Sequence, residues 1–582
     1  MKGGRPSKAR KRAFASVLPV MALFPCAAGA QQVFTDVTSA MGISGQTGLG
    51  HSVSWCDIDR DGDLDTAFSN QDGSGFWLYR NDGATFTNIT SSAGLGGIGA
   101  YRILWGEVTG DDFTDLLLDT GSSQALYRND GDGTFTNITG GSGLTGSPVC
   151  LADFDNDGDA DILTLTSSNC IVQHNSGSGT FSQQAIASGS WICGVCLDYD
   201  RDGDQDVYLG TYSETANALL RNDGASFTDV TAAAGATWNG STMGITAGDY
   251  NNDGWDDLYL GNYSEPGCKL FRNDGDGTFT DVTVSAGVQG HSDTRTVAFT
   301  DYNNDGWLDI FVSHHDFYSY SNIMLRNNGN GTFANVGAAL GLSGEMMGDY
   351  FGTAWGDFNN DGDIDLFAVG HIDKYVLFRN DQYSTAPANY VTLELEGTVS
   401  NRDAIGARVA LQAGSAVLTR CVRAGEGYHD FHSMPLELGL GSATTAGSIE
   451  IVWPSGLVES YYGIPANQRL YAIEGDGLYT GLADDPSGAI QQAWSLTCSP
   501  NPAASLVAVS VTVPAGETAE VAVFDIAGRR VMTLFEGAMP SQSLSLTWNA
   551  VDEDGDPVPA GIYVIALESE GRSYARLVTI ER

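Results

Sequence analysis

One nine-residue pattern, D-x-[DN]-x-D-G-x-x-D, recurs along the chain and constrains the fold more than any other feature. Copies begin at Asp57, Glu107, Asp153, Asp198, Asp249, Asp301 and Asp357, at spacings of 50, 46, 45, 51, 52 and 56 residues. After each comes a turn signal, "YRNDG" at 79–83 or "FRNDGDG" at 271–277, and then a strand such as "FTDVT" at 279–283. Between these signals the runs are short, apolar and β-branched or aromatic: "TVAFTDY", "WLDIFVSH", "NIMLRN" and "TFANVG" in the sixth unit. Four strands per unit, a last hairpin of the Asn-Asp-Gly type and a period of 45–56 residues predict an all-β propeller.

Seven acidic loops and seven turns are present, but only six phenylalanine strands follow them. The missing copy is "VFTDVTSAMGI" (Val33–Ile43), ahead of the first unit. A closed ring explains that permutation, because the first segment completes the last blade and removes two exposed strand edges. The expectation is therefore a seven-bladed propeller over residues 31–385 whose N-terminal strand closes blade 7.

Crowded like charges are costly unless a cation lies among them. Calcium takes six to eight oxygen ligands, and a glycine at the sixth position permits the sharp bend around it. The predicted side-chain ligands are Asp57, Asp59, Asp61 and Asp65; Asp153, Asp155, Asp157 and Asp161; Asp198, Asp200, Asp202 and Asp206. They continue with Asp249, Asn251, Asp253 and Asp257; Asp301, Asn303, Asp305 and Asp309; and Asp357, Asn359, Asp361 and Asp365. A backbone carbonyl at position 7 adds a fifth oxygen. The twelfth position, where an EF-hand has Glu, is Phe68, Thr164, Leu209, Leu260, Val312 or Ala368, so a strand follows each loop directly. In the second copy, "EVTGDDFTD" (Glu107–Asp115), Thr109 and Asp112 replace a ligand and the glycine. That site is expected to be empty or weak, leaving about six structural calcium ions. Asx-rich turns alone would use neutral Asn and avoid the repulsion.

These residues resemble the FG-GAP/VCBS repeats, found also in the propellers of integrin α chains. The resemblance implies the propeller and its calcium but no particular activity. Beyond Asn389 the repeat gives way to a β-rich stretch at 386–475 containing "NRDAIGARV" (401–409) and "WPSG" (453–456). It resembles the ASPIC/UnbV module, which follows such a propeller in cartilage acidic protein-like chains, and implies an extracellular role. Members often carry Ser-Gln after the Gly-Tyr pair, where this chain has His429-Asp430 after Gly427-Tyr428. His429, Asp430 and His432 read as surface polar residues, with metal ligation or acid–base chemistry as the alternative. His314-His315-Asp316 reads as the end of a blade strand beside a rim loop, a bland loop with ligand binding as the alternative.

A linker at 476–496 leads to a sandwich pattern at 497–582 containing Asn501-Pro502, Gly528-Arg529, Trp548 and Pro559-Ala560-Gly561. It resembles flagellar hook-capping Ig-like folds and the C-terminal sorting domains of type IX secretion, which implies contact with outer-membrane export machinery. A plain Ig-like spacer is the alternative.

Residues 1–30 read as a signal peptide cleaved after Ala30: six basic residues, an apolar run too short to span a bilayer, then Ala28-Gly29-Ala30. Its removal takes six of the 28 basic residues and leaves 22 against 72 acidic ones, a net charge of about −50. Such a chain repels nucleic acid and anionic membranes and attracts cations. No later run is long and apolar enough for a transmembrane helix. Eight cysteines remain, and the reading for them is buried thiols or a structural disulfide. Cys150 and Cys196 both stand just before an acidic loop, at equivalent strand positions.

No GxSxG, HExxH, P-loop or dinucleotide fingerprint occurs. The reading is a secreted or cell-surface, calcium-binding, non-enzymatic scaffold for an extracellular glycan or protein. The alternative is an extracellular polysaccharide lyase or hydrolase built on the propeller.

Overall fold

The structure is a computed structural model. It describes residues 33–582 except 72, 74, 122, 214, 265, 315–321, 343–349, 371–373, 383–387, 481–494, 500–502, 504, 514–517, 526–528, 541–542, 570–571 and 581–582. The signal peptide, most of the linker, His315 and Asp316 lie outside the described residues.

The protein is all-β, with two four-residue helices among the described elements. Each acidic loop joins the first two strands of a sheet of four antiparallel strands, numbered here by its loop; sheet 1 gains a fifth, parallel strand from Asp430–Phe431. Sheet 6 shows the plan: Thr294–Thr300, the acidic loop, Asp309–His314, Ile323–Asn327 and Phe333–Asn335, each paired with the next. First and second strands are buried along nearly their whole length, and the three-residue fourth strand of this sheet is buried only at its first residue, Phe333. This follows from the sequence: continuous apolar runs suit strands covered on both faces, and a short strand with one large apolar residue suits an outer edge.

Sheet 7 (Tyr350–Gly356, Asp365–Gly370, Lys374–Asn380) takes its fourth strand from the other end of the chain. Phe34–Asp36 runs antiparallel to Lys374–Asn380, with Phe34 opposite Asn380 and Asp36 opposite Phe378. The first strands of successive sheets lie side by side, and Tyr350–Gly356 of sheet 7 lies against Gly50–Cys56 of sheet 1. Apolar clusters fill the spaces between neighbours: Trp55, Phe68, Phe358 and Phe367 join sheets 1 and 7.

The second module packs its own core around Leu393, Val409, Ile449, Ile451 and Trp453. One of its sheets continues into the third module, where Tyr461 pairs with Ser495, and Arg576 donates to Glu450 at 3.0 Å. Cys150 and Cys196 form a disulfide between the first strands of sheets 3 and 4. Cys56, Cys170, Cys193, Cys268, Cys421 and Cys498 are free and at least half-buried.

Candidate metal centres and the face that covers them

Each intact loop wraps around its own first aspartate. In sheet 1 the Asp61 and Gly62 amides donate to Asp57 at 3.2 and 2.8 Å, and in sheet 6 the Asp305 and Gly306 amides donate to Asp301 at 3.0 and 2.8 Å. The fourth position has positive φ in all six (Arg60, Asn156, Arg201, Asn252, Asn304, Asn360), which turns the chain back on itself. Carboxylate oxygens of Asp57, Asp59 and Asp61 come within 4.8 Å of one another, as do those of Asp153, Asp155 and Asp157 and of Asp198, Asp200 and Asp206. Where position 3 is Asn, its amide lies beside the position-5 carboxylate: Asn251 donates to Asp253 at 2.8 Å and Asn359 to Asp361 at 2.9 Å. The position-5 amide in turn donates to the Asn side chain, Asp253 to Asn251 at 3.1 Å, Asp305 to Asn303 at 3.0 Å and Asp361 to Asn359 at 3.3 Å.

Several of these carboxylates are short of partners. Oδ1 of Asp198, Oδ1 of Asp200 and Oδ2 of Asp309 are buried with no hydrogen bond. Burial pushes Asp57, Asp153 and Asp249 up to about 7 and Asp206 up to about 9, with neighbouring carboxylates adding to the shift. Buried carboxylates in this state take up a proton or a cation. An oxygen-only donor set with open lone pairs fits a hard divalent cation, calcium above all. The third loop differs: His174 stands where the other turns have Arg or its equivalent, with Nδ1 3.1 Å from Asp155 and 3.2 Å from Asp161.

The second loop has another arrangement. Glu107 accepts the Thr109 and Asp111 amides at 2.9 and 3.2 Å, folding the loop around a longer side chain, and Asp112 stands at positive φ in place of glycine.

The ninth-position aspartates have a second role that the sequence reading missed. Asp65, Asp115, Asp161, Asp206, Asp257, Asp309 and Asp365 are all essentially fully buried, including the one in the degenerate loop. Each accepts the backbone amide of the asparagine in its sheet's turn signal, as Asp65 does from Asn81 at 2.7 Å and Asp365 from Asn380 at 2.7 Å. That asparagine's side chain then donates to a carbonyl in the preceding loop: Asn129 to Ile58 at 2.8 Å, Asn273 to Tyr199 at 2.8 Å and Asn380 to Tyr302 at 2.7 Å. The signal was present in the sequence, because this asparagine occurs in every turn motif. Asn-Asp-Gly is so typical of hairpins that the turn role masked the other one.

Loops also touch their successors directly. Asn252 donates to the Gly306 carbonyl at 3.1 Å, Asn304 to that of Gly362 at 2.8 Å and Asn156 to Asp204 at 2.7 Å.

The second module covers this loop face with arginines. Arg469 donates to Asn360 at 2.6 Å, to Glu394 at 2.9 Å and to the Gly62 carbonyl; Arg423 pairs with Asp256; Arg402 lies 3.6 Å from Asp112; Arg420 donates to the Gly306 carbonyl at 3.4 Å. Asp403 accepts the Glu107 amide at 2.7 Å. Cations from one module thus meet the acidic loops of the other, and the partnership is long-range in sequence.

His429, Asp430 and His432 are not surface residues. His429 and Asp430 are 5% and 4% exposed, because residues 424–434 thread among the first strands of the sheets. Asp430–Phe431 pairs in parallel with Val53–Ser54, Ala424 bridges to Leu151, and Gly427 bridges to Ile245. Asp430 accepts the Thr353 amide at 2.7 Å and the Thr296 hydroxyl, and the His429 carbonyl accepts the Ser52 hydroxyl at 2.7 Å. Alternation along a strand, from which surface positions were expected, does not reveal that both faces are enclosed. Gly425 makes the approach possible: at φ +96° a Cβ there would stand 2.5 Å from the Val149 carbonyl oxygen. His314 is also buried.

The fold is one of repeated sheets with acidic loops, covered by an arginine-bearing second module. Residues 117–164, 198–260, 249–312 and 313–368 match the FG-GAP-like repeat, 397–478 match ASPIC and UnbV, and 501–573 match the FlgD Ig-like domain. The chain is a protein of FG-GAP-like repeats, an ASPIC and UnbV module and a FlgD-type Ig domain. Its relatives include cartilage acidic protein 1. The human protein is 26% identical over 207 residues (33% of this chain, 29% of the relative), and the mouse protein 24% over 394 residues (64% and 56%). The chain thus spans between about a quarter and a little over half of the curated relatives it matches. Among solved structures, PorZ, a surface component of the type-IX secretion system of Porphyromonas gingivalis, aligns over 92% of this chain and 81% of its own. That alignment has 12% identity and a TM-score of 0.21.

Proposed function

We propose that this protein is a calcium-stabilised binding scaffold of the cell exterior. In this reading residues 31–385 form a seven-bladed propeller closed by the N-terminal strand, and six loops each hold a calcium ion through the aspartates and asparagines named above. The second loop, folded around Glu107, holds none. The observation that carries the reading is the set of buried loop carboxylate oxygens without partners on Asp198, Asp200 and Asp309. A buried acceptor left unpaired costs roughly 1–3 kcal/mol, which a bound cation removes.

The ASPIC/UnbV module acts as an internal brace. Its arginines neutralise part of the loop face, and residues 424–434 occupy the centre of the ring. No helix among the described residues is long and apolar enough to cross a membrane. Export through the signal peptide, with the FlgD-like domain as spacer or sorting element, completes the proposal. The role is binding rather than catalysis, because the clustered carboxylates are engaged by the loops and their clips.

If each site has a dissociation constant of ~10⁻⁴ M, ~1 mM calcium contributes about 1.4 kcal/mol per site, or about 8 kcal/mol over six. The test is thermal unfolding of the mature chain in excess EDTA and after restoring calcium. A drop of ten degrees or more, reversed by calcium, is expected; an unchanged melt refutes the proposal.

A further inference from the structure

Each first strand runs toward its acidic loop, so the starts of these strands gather at the opposite mouth of the central channel. His51, Arg102, Arg295 and Phe351 occupy such starts. The tip of the inserted segment reaches the same mouth. Arg102 donates to the Tyr428 carbonyl at 2.9 Å and to His429 Nδ1 at 3.1 Å, and the His51 ring lies 4.2 Å from those of both His429 and Tyr101.

Two groups there are held in place but unsatisfied. The Arg295 guanidinium lies against three rings, 4.9 Å from Tyr263, 5.2 Å from Phe351 and 6.0 Å from Tyr428. It makes no hydrogen bond and no ion pair among the described residues, and its Nε is buried without a partner. His51 is fully buried; its Nδ1 lies 2.8 Å from the Tyr101 carbonyl, and its Nε2 has no partner. With Nδ1 as the donor, Nε2 is an unused acceptor. In a chain with 72 acidic and 28 basic residues, an arginine that meets no carboxylate among the described residues is conspicuous. Aromatic rings orient a guanidinium without consuming its N–H donors, leaving the planar fork free for an oxyanion. Beside it, the Tyr263 ring continues into that of Tyr212, 5.6 Å away and 48% exposed.

We propose that this mouth binds an acidic saccharide, with Arg295 receiving a carboxylate or sulfate, and Tyr263 and Tyr212 supplying ring faces. The inference deepens the binding-scaffold reading and rests on its ring geometry. The ligand must offer both an oxyanion and an apolar face that packs on tyrosine rings, and a charged sugar has both. An extended peptide would be read by a free strand edge. The edges facing the channel are engaged at Val53–Ser54, Leu151 and Ile245 by residues 424–431. The site is composite, since Tyr428 and His429 come from the second module.

The experiment is calorimetric titration of the calcium-loaded mature chain with four probes: tetragalacturonate, its methyl ester, a sulfated oligosaccharide and an acidic peptide. One or both charged saccharides should bind, and which of them does identifies carboxylate or sulfate as the recognised group. The ester should bind at least tenfold more weakly. Arg295→Gln should weaken binding at least tenfold with an unchanged melting temperature, and Tyr212→Ala, at an exposed position, should weaken it severalfold. Absence of binding by both charged saccharides, equal binding of the ester, indifference to Arg295→Gln, or binding of the peptide alone overturns the proposal. A calcium-dependent melt on the same sample separates this failure from failure of the scaffold reading.

Discussion

The side-chain amide of Asn81 donates to the carbonyl of Phe358, 2.8 Å away and 277 residues further along the chain. Asn81 belongs to sheet 1 and Phe358 to the loop of sheet 7. The same bond links every other sheet to its predecessor over 67 to 78 residues, from Asn175 to Val108 and from Asn380 to Tyr302. In the Asn81–Phe358 pair it joins the last unit to the first.

This clip should be measurable. Asn81→Ala leaves the Phe358 carbonyl without its donor, at a cost of about 1–3 kcal/mol. Asn81→Asp should cost more, because it removes the same donor and sets a second carboxylate beside buried Asp65. Urea unfolding midpoints of the two variants against the parent check the order.

Calcium stoichiometry should be six. Asp309→Asn should reduce it to five, while Glu107→Gln should leave six, since Glu107 already satisfies the amides of its own loop. Titration of chelator-stripped, refilled protein reads the number directly. Seven ions, or a loss on Glu107→Gln, would contradict the assignment of the second loop.

Stability should depend on pH through Glu426 in the segment 424–434 that threads among the first strands. Burial raises this carboxyl to about 7, while Arg423 and the Ala247 amide oppose the shift. Around it lie His432, with Nε2 3.5 Å away, and the buried acids Asp256 and Asp430. A carboxyl whose folded pKa is raised contributes its full stability below the unfolded value, here 4.5, and loses it as pH rises through about 7. Glu426→Gln should therefore be more stable than the parent at pH 8, by roughly 1–3 kcal/mol, with the difference fading toward pH 4.5. Paired melts across this range check the sign.

The Cys150–Cys196 disulfide closes a separation of 46 residues between sheets 3 and 4. Its removal by paired Ser substitutions should cost roughly 2–4 kcal/mol through greater freedom of the unfolded chain. The same loss should follow from a reductant that reaches it, measured as a lowered melting temperature with calcium held constant.

Sequence alone determined the local units: the acidic loops, the glycine at each bend, the hairpin turns, the four strands per period and the odd second loop. These depend on residues within a dozen positions of one another, where backbone preference, turn chemistry and hydrophobic period act directly. Even the displaced strand at Val33–Ile43 could be read from a mismatch in counts. Tertiary structure alone decided that the turn asparagines clip neighbouring sheets, that Arg402, Arg420, Arg423 and Arg469 meet the acidic loops, and that His429 and Asp430 lie deep among the sheets. It also placed Arg295 against three aromatic rings with no acceptor among the described residues. Such contacts join residues tens to hundreds of positions apart, and no local preference of an Asn, Arg or His distinguishes a solvated side chain from one enclosed when separate sheets come together.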